Sequence, residues 1–164
     1  YCGGMDIKGT ANLAPGTYIL AGGGLTTNAL AVIIGTGVTI YNTSSTGWGC
    51  PGGFRAPDEI SINGGATLSI SAPTDGALAG MAFFQDRTII SSDVQKFNGG
   101  ANMVIDGAIY FPNSPMQFTG SSSNSGYTYL VADTVEFTGN STLRNNTSSL
   151  AQGSPLRVVA TVAE

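Results

Sequence analysis

Five carboxylates are the side chains of this 164-residue chain that could do chemistry. The chain has no histidine, so general acid–base catalysis would fall to Asp86, Asp93, Asp106, Asp133 and Glu136. Asp86 and Asp133 each follow an apolar run, and in register on one face they would resemble the paired carboxylates of a glycosidase. An aspartate after a strand in a glycine-rich chain is, however, usually a turn residue. We therefore expect no catalytic residues.

The sequence predicts neither a metal site nor a cofactor site. Two cysteines without any histidine cannot hold a structural zinc, and the chain lacks both the EF-hand loop and the calcium-binding nonapeptide repeat. We expect Cys2 and Cys50 to form a disulfide, and free buried thiols are the alternative. A disulfide closing this loop would contribute roughly 4 kcal/mol.

The composition is typical of an extracellular or envelope β protein. Charged residues make up only 10% of the chain, and glycine, serine, threonine and asparagine replace them. A net charge of −4 with scattered cations makes nucleic acid an unlikely partner. There is no long apolar run and no export signal, and the chain starts at Tyr1. We expect a fragment or processed form of a longer exported protein, attached to a membrane only through a missing N-terminal segment.

One short phrase organises the chain. It is an apolar residue, Asn or Thr, Gly, any residue, then Ala or Ser, and it begins at Ile62, Phe97, Phe118 and Phe137. The last two intervals are near the length of one solenoid turn. The apolar period is two almost everywhere, which favours strands. The sequence therefore predicts an all-β, right-handed β-solenoid (β-helix) of short irregular coils, with little or no helix.

The prediction assigns the whole chain, residues 1–164, to a single solenoid domain. Residues 43–57 are expected to be a loop excursion pinned by the disulfide, residues 87–96 a short helix or loop, and residues 157–163 the strand that finishes the stack. Stacked coils place aromatic side chains in ladders. The residues expected to form such a structural ladder are Phe83, Phe84, Tyr110, Phe111, Phe118 and Phe137.

An ordered set of short phrases covers nearly the whole chain. The phrases are Tyr1-Cys2-Gly3-Gly4, Pro15-Gly16-Thr17-Tyr18-Ile19, Gly22-Gly23-Gly24-Leu25, Gly35-Thr36-Gly37-Val38-Thr39, Ile62-Asn63-Gly64-Gly65-Ala66, Ala72-Pro73-Thr74, Phe83-Phe84-Gln85-Asp86-Arg87, Gly107-Ala108-Ile109-Tyr110-Phe111-Pro112 and Val131-Ala132-Asp133-Thr134. Together they resemble the C-terminal region of bacterial TadE/TadG-like proteins of the tight-adherence pilus assembly group. The resemblance implies an exported, cell-surface part of a pilus or adhesion system, anchored by a preceding segment and without catalytic residues. The Pro-Gly-Thr-Tyr phrase also resembles ice-binding β-solenoids.

These observations predict a non-catalytic extracellular structural or adhesive module of a pilus or cell-surface assembly, able to self-associate into fibres. Its partners would be copies of itself, other pilus or envelope proteins, or a surface glycan. A ligand-binding solenoid for glycan or ice is the alternative. A carboxylate-dependent polysaccharide-degrading enzyme is the less favoured one.

Overall fold

The computed structural model describes residues 1–98, 102–120, 123–124 and 128–143. Every regular element in these ranges is a β-strand. The strands are β1 (Met5–Ile7), β2 (Thr10–Leu13), β3 (Gly16–Ala21), β4 (Gly23–Thr27), β5 (Val32–Thr36), β6 (Val38–Thr43), β7 (Pro57–Ile62), β8 (Thr67–Ser71), β9 (Met81–Gln85), β10 (Gln95–Phe97), β11 (Asn102–Phe111), β12 (Met116–Phe118), β13 (Ser123–Asn124), β14 (Thr128–Ala132), β15 (Val135–Phe137) and β16 (Thr142–Leu143).

All pairings between these strands are parallel, and the chain returns to the same sheet position after each circuit. The first face is the six-stranded sheet β1-β4-β7-β10-β12-β15. The second face contains β2, β5, β8, the first half of β11, β13 and β16, and the third contains β3, β6, β9, the second half of β11 and β14. We call each passage across the three faces a layer.

The second and third faces form one curled ten-stranded sheet because β11 belongs to both. Its residues 102–106 pair with β8, and its residues from Ala108 pair with β9. The change of direction falls at Gly107, whose φ is 141°. A Cβ there would lie 2.6 Å from the Ala72 Cβ, so the corner requires glycine.

The core lies between the three faces. Alternate residues of each strand point inward and form one buried cluster. Ile60 and Phe97 come from the first face, Leu68 from the second, and Phe83 and Ile109 from the third. The described chain is thus all-β, as the apolar period of two predicts.

The repeated phrase lies at one corner in successive layers. Ile62 pairs with Phe97, Phe97 with Phe118, and Phe118 with Phe137. The Asn63 Oδ1 accepts a hydrogen bond of 3.3 Å from the Gly65 N–H, which closes the turn. Each copy therefore carries the chain from the first face to the second. Residues 99–101 of the second copy and 121–122 of the third lie outside the described residues.

The irregular spacing of the phrase comes from long connections at the other corners. Residues 72–80 and 86–94 both fall between the first two copies. Residues 86–94 contain no helix, and β10 then begins at Gln95. The loop excursion extends from the end of β6 at Thr43 to the start of β7 at Pro57. The strand expected at residues 157–163 lies outside the described residues.

Candidate functional site

Three aromatic side chains form a row on the outside of the third face. Tyr41 pairs with Phe84, and Phe84 pairs with Tyr110. Their strand neighbours Phe83 and Ile109 are buried, so these three rings point outward. The Tyr41 and Phe84 ring centres are 5.5 Å apart, and the Phe84 and Tyr110 rings stack at 5.2 Å and 9°. We call Tyr41, Phe84 and Tyr110 the outer aromatic column.

The loop between β6 and β7 extends the column with an exposed indole. The Trp48 ring meets the Tyr41 ring edge-on at 6.3 Å and 78°. Trp48 nevertheless keeps 45% of its surface exposed. A disulfide joins Cys50 of this loop to Cys2, with the two Cα atoms 5.4 Å apart. At the base of the loop, the Ser45 N–H donates a hydrogen bond of 3.0 Å to the Arg55 carbonyl. The indole is therefore presented by a loop fixed at its base and near its tip.

Arg87 lies against the other end of the column. Its Cζ is 5.9 Å from the Phe84 ring centre and 5.3 Å from the Tyr110 ring centre, which is cation–π distance. Within the described ranges no carboxylate lies within ion-pair distance of Arg87, and the ion pairs found there belong to Lys8 and Lys96. The guanidinium of this exposed residue thus lies against two aromatic rings and has no ion-pair partner in the described ranges.

Asp86 is occupied by hydrogen bonds from the protein itself. Its Oδ1 accepts from the Thr88 N–H at 2.9 Å and the Thr88 hydroxyl at 2.8 Å, and its Oδ2 accepts from the Thr43 hydroxyl at 2.9 Å. The Thr88 N–H, with the Thr88 and Thr43 hydroxyls, holds the pKa of Asp86 below its ordinary value. Burial and the nearby Asp86 charge raise the pKa of Tyr41. Asp86 is therefore an ionised carboxylate close to the Tyr41 ring, held by Thr43 and Thr88.

The two carboxylates considered as a catalytic pair lie in equivalent places two strands apart. Asp86 follows β9 and Asp133 follows β14, and both strands pair with β11. Two strand spacings are roughly 9.5 Å, near the wide separation of inverting glycosidases. Three of the roughly four acceptor positions of Asp86 are, however, already used by Thr43 and Thr88, which fits a turn residue.

The other carboxylate candidates are dispersed. Asp93 accepts a hydrogen bond of 2.8 Å from the Ser91 hydroxyl in the connection before β10. Asp106 lies in the second-face half of β11. Glu136 lies on the first face and accepts a hydrogen bond of 2.8 Å from the Gln117 amide. Within the part of the chain that the structure describes, no three acidic or cysteine side chains come together as a metal site.

The six residues of the expected aromatic ladder are divided between the inside and the outside of the fold. Phe84 and Tyr110 belong to the outer column, whereas Phe83, Phe111 and Phe118 are buried. Phe111 pairs with Ala132, and Phe83 meets Phe97 edge-on at 5.7 Å. Phe118 stacks between Phe97 and Phe137 at 5.2 Å on either side. We call Phe97, Phe118 and Phe137 the inner aromatic column.

Sequence reasoning missed Tyr41, Trp48 and Arg87 as site residues. Tyr41 ends the β-branched run of β6 and is offset from Phe84 by the whole loop excursion. Arg87 directly follows the aromatic pair and Asp86, so its place beside the rings could have been inferred once the aromatic pair was assigned to the end of a strand.

An open groove lies beside the column. It has a volume of about 380 Å³ and is lined by Ala77, Leu78, Met81, Phe84, Asp86 and Arg87. Ala77 and Leu78 belong to the connection between β8 and β9, which separates this groove from a second one of about 530 Å³ over Pro15 and Gly37. The arrangement offers aromatic edges, an indole and one guanidinium to a ligand lying along the third face.

No protein-family model, curated protein or solved structure matches the chain.

None of the residues that the structure describes belongs to a helix with the length and apolarity needed to cross a membrane.

Proposed function

We propose that this chain is a non-catalytic extracellular module, a right-handed β-solenoid whose outer aromatic column binds a polysaccharide. The observation that carries the proposal is the outer column, which ends in an exposed Trp48 and borders an open groove. The handedness rests on the connections between parallel strands of one sheet, which are right-handed in about 98% of cases.

The chemistry of the column suits a sugar polymer. Pyranose rings have apolar C–H faces and polar edges, so they combine well with aromatic side chains and a few positioned polar groups. Tyrosine and tryptophan each combine an apolar aromatic ring with a polar O–H or N–H group in one side chain. The Tyr41 ring packs against Phe84, and Trp48 meets the Tyr41 ring edge-on. Fixed side chains lose little conformational entropy when a ligand binds.

The open shape favours a chain over a small molecule. Drug-sized ligands need sites that bury most of their surface. The rings of Tyr41, Phe84 and Tyr110 are instead spaced at 5.5 and 5.2 Å across three successive layers, with Trp48 beside the first ring and Arg87 beside the last two. A linear polymer lying along the stack could touch all of them, and several weak contacts would add to a useful affinity.

The disulfide supports an extracellular location, since disulfides persist in oxidising compartments. With the resemblance to TadE/TadG-like proteins, this supports an adhesive role in a pilus or cell-surface assembly. Asp86, whose pKa is lowered, is not suited to be a general acid, and this favours binding over turnover.

Self-association is a second candidate, favoured by the strand edges of the first layer. β1 pairs only with β4 and β2 only with β5 in the described chain, so each has an edge open to another strand. Residues 1–3 cover part of β3, where the Ala21 N–H donates to the Tyr1 carbonyl at 2.9 Å. Concentration-dependent growth of the sedimentation coefficient, with fibres in electron microscopy, would support this role. A monomer at high concentration would contradict it.

The binding proposal is tested with an array of immobilised neutral and acidic polysaccharides, probed with the wild-type protein and with Trp48→Ala. The matched control is Leu30→Ala, because Leu30 is 80% exposed but lies on the connection between β4 and β5. We expect at least one polysaccharide to be retained, with Trp48→Ala weakened by about tenfold or more and Leu30→Ala unchanged. Retention of none, or equal loss in both variants, would overturn the proposal.

A further inference from the structure

We infer that Arg87 makes this site selective for acidic polysaccharides, with its guanidinium binding the carboxylate of a uronic-acid residue in the groove beside the column. This rests on the proposed polysaccharide-binding function and names the class of polymer. It is carried by the geometry and charge around Arg87.

The first step is that Arg87 has an unused charge. Lys8 pairs with Asp6 at 2.7 Å and Lys96 pairs with Glu59 at 2.6 Å, whereas none of the carboxylates in the described ranges pairs with Arg87. Its sequence neighbour Asp86 is instead occupied by the Thr43 and Thr88 donors. An arginine without a carboxylate partner in the described ranges is available to a carboxylate from a ligand.

The second step is that the guanidinium is held in place. Contacts to two rings, at 5.9 and 5.3 Å, restrict a side chain that otherwise has many rotamers. A planar, preoriented guanidinium can donate two parallel hydrogen bonds to a carboxylate. A flexible lysine ammonium has the same charge but cannot donate two parallel hydrogen bonds from one planar group.

The third step is the room beside it. Ala77, Leu78 and Met81 line the groove together with Phe84, Asp86 and Arg87. The Asp86 oxygens accept hydrogen bonds from Thr43 and Thr88, so the Asp86 carboxylate has partners within the protein. The apolar side chains beside Arg87 suit a sugar ring that carries a carboxylate, because the ring can contact the apolar wall while the acid meets the guanidinium. A neutral sugar would fill the same space without using the charge.

A purely structural Arg87, stacked on two rings, is the competing explanation. It predicts that changing Arg87 weakens neutral and acidic ligands alike, through the column. The ligand-binding explanation predicts a loss confined to the acidic ligand. Two ligands that differ only in the charge of the carboxyl group separate these cases.

The experiment measures Kd for oligogalacturonate and for its fully methyl-esterified form with the wild-type protein, Arg87→Gln, Arg87→Lys and Trp48→Ala. We expect the wild type to prefer the free acid by about tenfold or more, and this preference to fall as salt is added. Arg87→Gln should bind both forms with the affinity that the wild type has for the ester. Arg87→Lys should keep part of the preference, because the charge remains and the fork is lost.

Four results would overturn the inference. If the wild type binds both forms equally while Trp48→Ala loses both, the polysaccharide site stands and the acidic selectivity is wrong. If Arg87→Gln weakens both forms equally, Arg87 has only a structural role. If neither form binds and no other polysaccharide does, the proposed function fails as well. Dextran sulfate binding as tightly as oligogalacturonate would replace carboxylate recognition with general anion binding.

Discussion

The inner and outer aromatic columns have the same spacing and opposite surroundings. Stacked neighbours lie 5.2 Å apart in both, because the separation of adjacent strands sets the distance. In the inner column, Phe97 and Phe118 are 0% and 2% exposed in the core, and Phe137, in the last described layer, is 48% exposed. The outer rings are half-buried and have hydroxyls, a carboxylate and a guanidinium beside them. Stacking alone therefore says nothing about function, whereas the polar groups beside the rings distinguish the outer column from the inner one.

The largest expected effect comes from the inner column. Phe97→Ala should lower the free energy of unfolding by about 3–5 kcal/mol, because it leaves a cavity between Phe83 and Phe118. The matched outer change, Phe84→Ala, should lower it by only about 1–2 kcal/mol, because the Phe84 ring is half-buried. Urea denaturation of both variants measures the difference. Equal losses would remove the distinction between the columns.

Removing the disulfide should affect stability next most strongly and also disturb the outer column. The variant with Cys2→Ser and Cys50→Ser should lose about 2–4 kcal/mol, because its unfolded chain is no longer constrained. The loop that holds Trp48 against Tyr41 should loosen, so glycan binding should weaken too. Thermal unfolding with and without a reductant measures the effect. The double variant serves as the control, since the reductant should leave it unchanged.

The corner in β11 joins the second face to the third face, which carries the outer column. Gly107→Ala should cost about 1–3 kcal/mol, because the residue has a φ of 141° and the new Cβ would meet Ala72 at 2.6 Å. Gly9→Ala is the matched control, since nothing lies within 4 Å of its added Cβ. Because Tyr110 follows the corner, Gly107→Ala should lower both the stability and the glycan affinity, whereas Gly9→Ala should change neither. A Gly107→Ala protein as stable as Gly9→Ala would contradict the assigned corner.

The smallest expected effect is the pH dependence from Asp86. Its pKa is lower in the folded protein than the ordinary value of 3.8, so its contribution is complete above that value and is lost as the pH falls through the folded pKa. Asp86→Asn should cost about 1 kcal/mol at neutral pH and flatten the acid limb of the stability profile. The urea midpoint of both proteins, measured from about pH 2 to about pH 7, would test this. If stability falls as steeply at low pH in Asp86→Asn as in the wild type, that loss of stability comes from other carboxylates.

The repeated phrase predicts the strand-rich architecture because its chemistry is local. An Asn or Thr followed by Gly is suited to a tight turn, and the apolar residues on either side alternate as half-buried strands require. The turn at Asn63 and the register from Ile62 through Phe137 follow from these preferences. The partners of the disulfide could be named from the sequence, because two cysteines allow only one pairing within the chain.

The separation of the aromatic residues into two columns could not be predicted in the same way. Phe83 and Phe84 are adjacent, so one must face inward and the other outward, but the choice depends on the register with β11. That register shifts between Ala108 and Ile109 and therefore depends on tertiary packing. Arg87 and Trp48 lie in connections, where the apolar period gives no guidance.

The most direct test of the outer column uses the fluorescence of Trp48, the only tryptophan of the chain. Titration with a polysaccharide retained on the array should change its emission in a saturable way, because the indole would lose contact with water. Phe84→Ala should weaken this response by about tenfold, and Leu30→Ala should reproduce the wild-type curve. Unchanged Trp48 emission with bound polysaccharide, or the same curve for all three proteins, would contradict the assignment of the outer aromatic column as the binding surface.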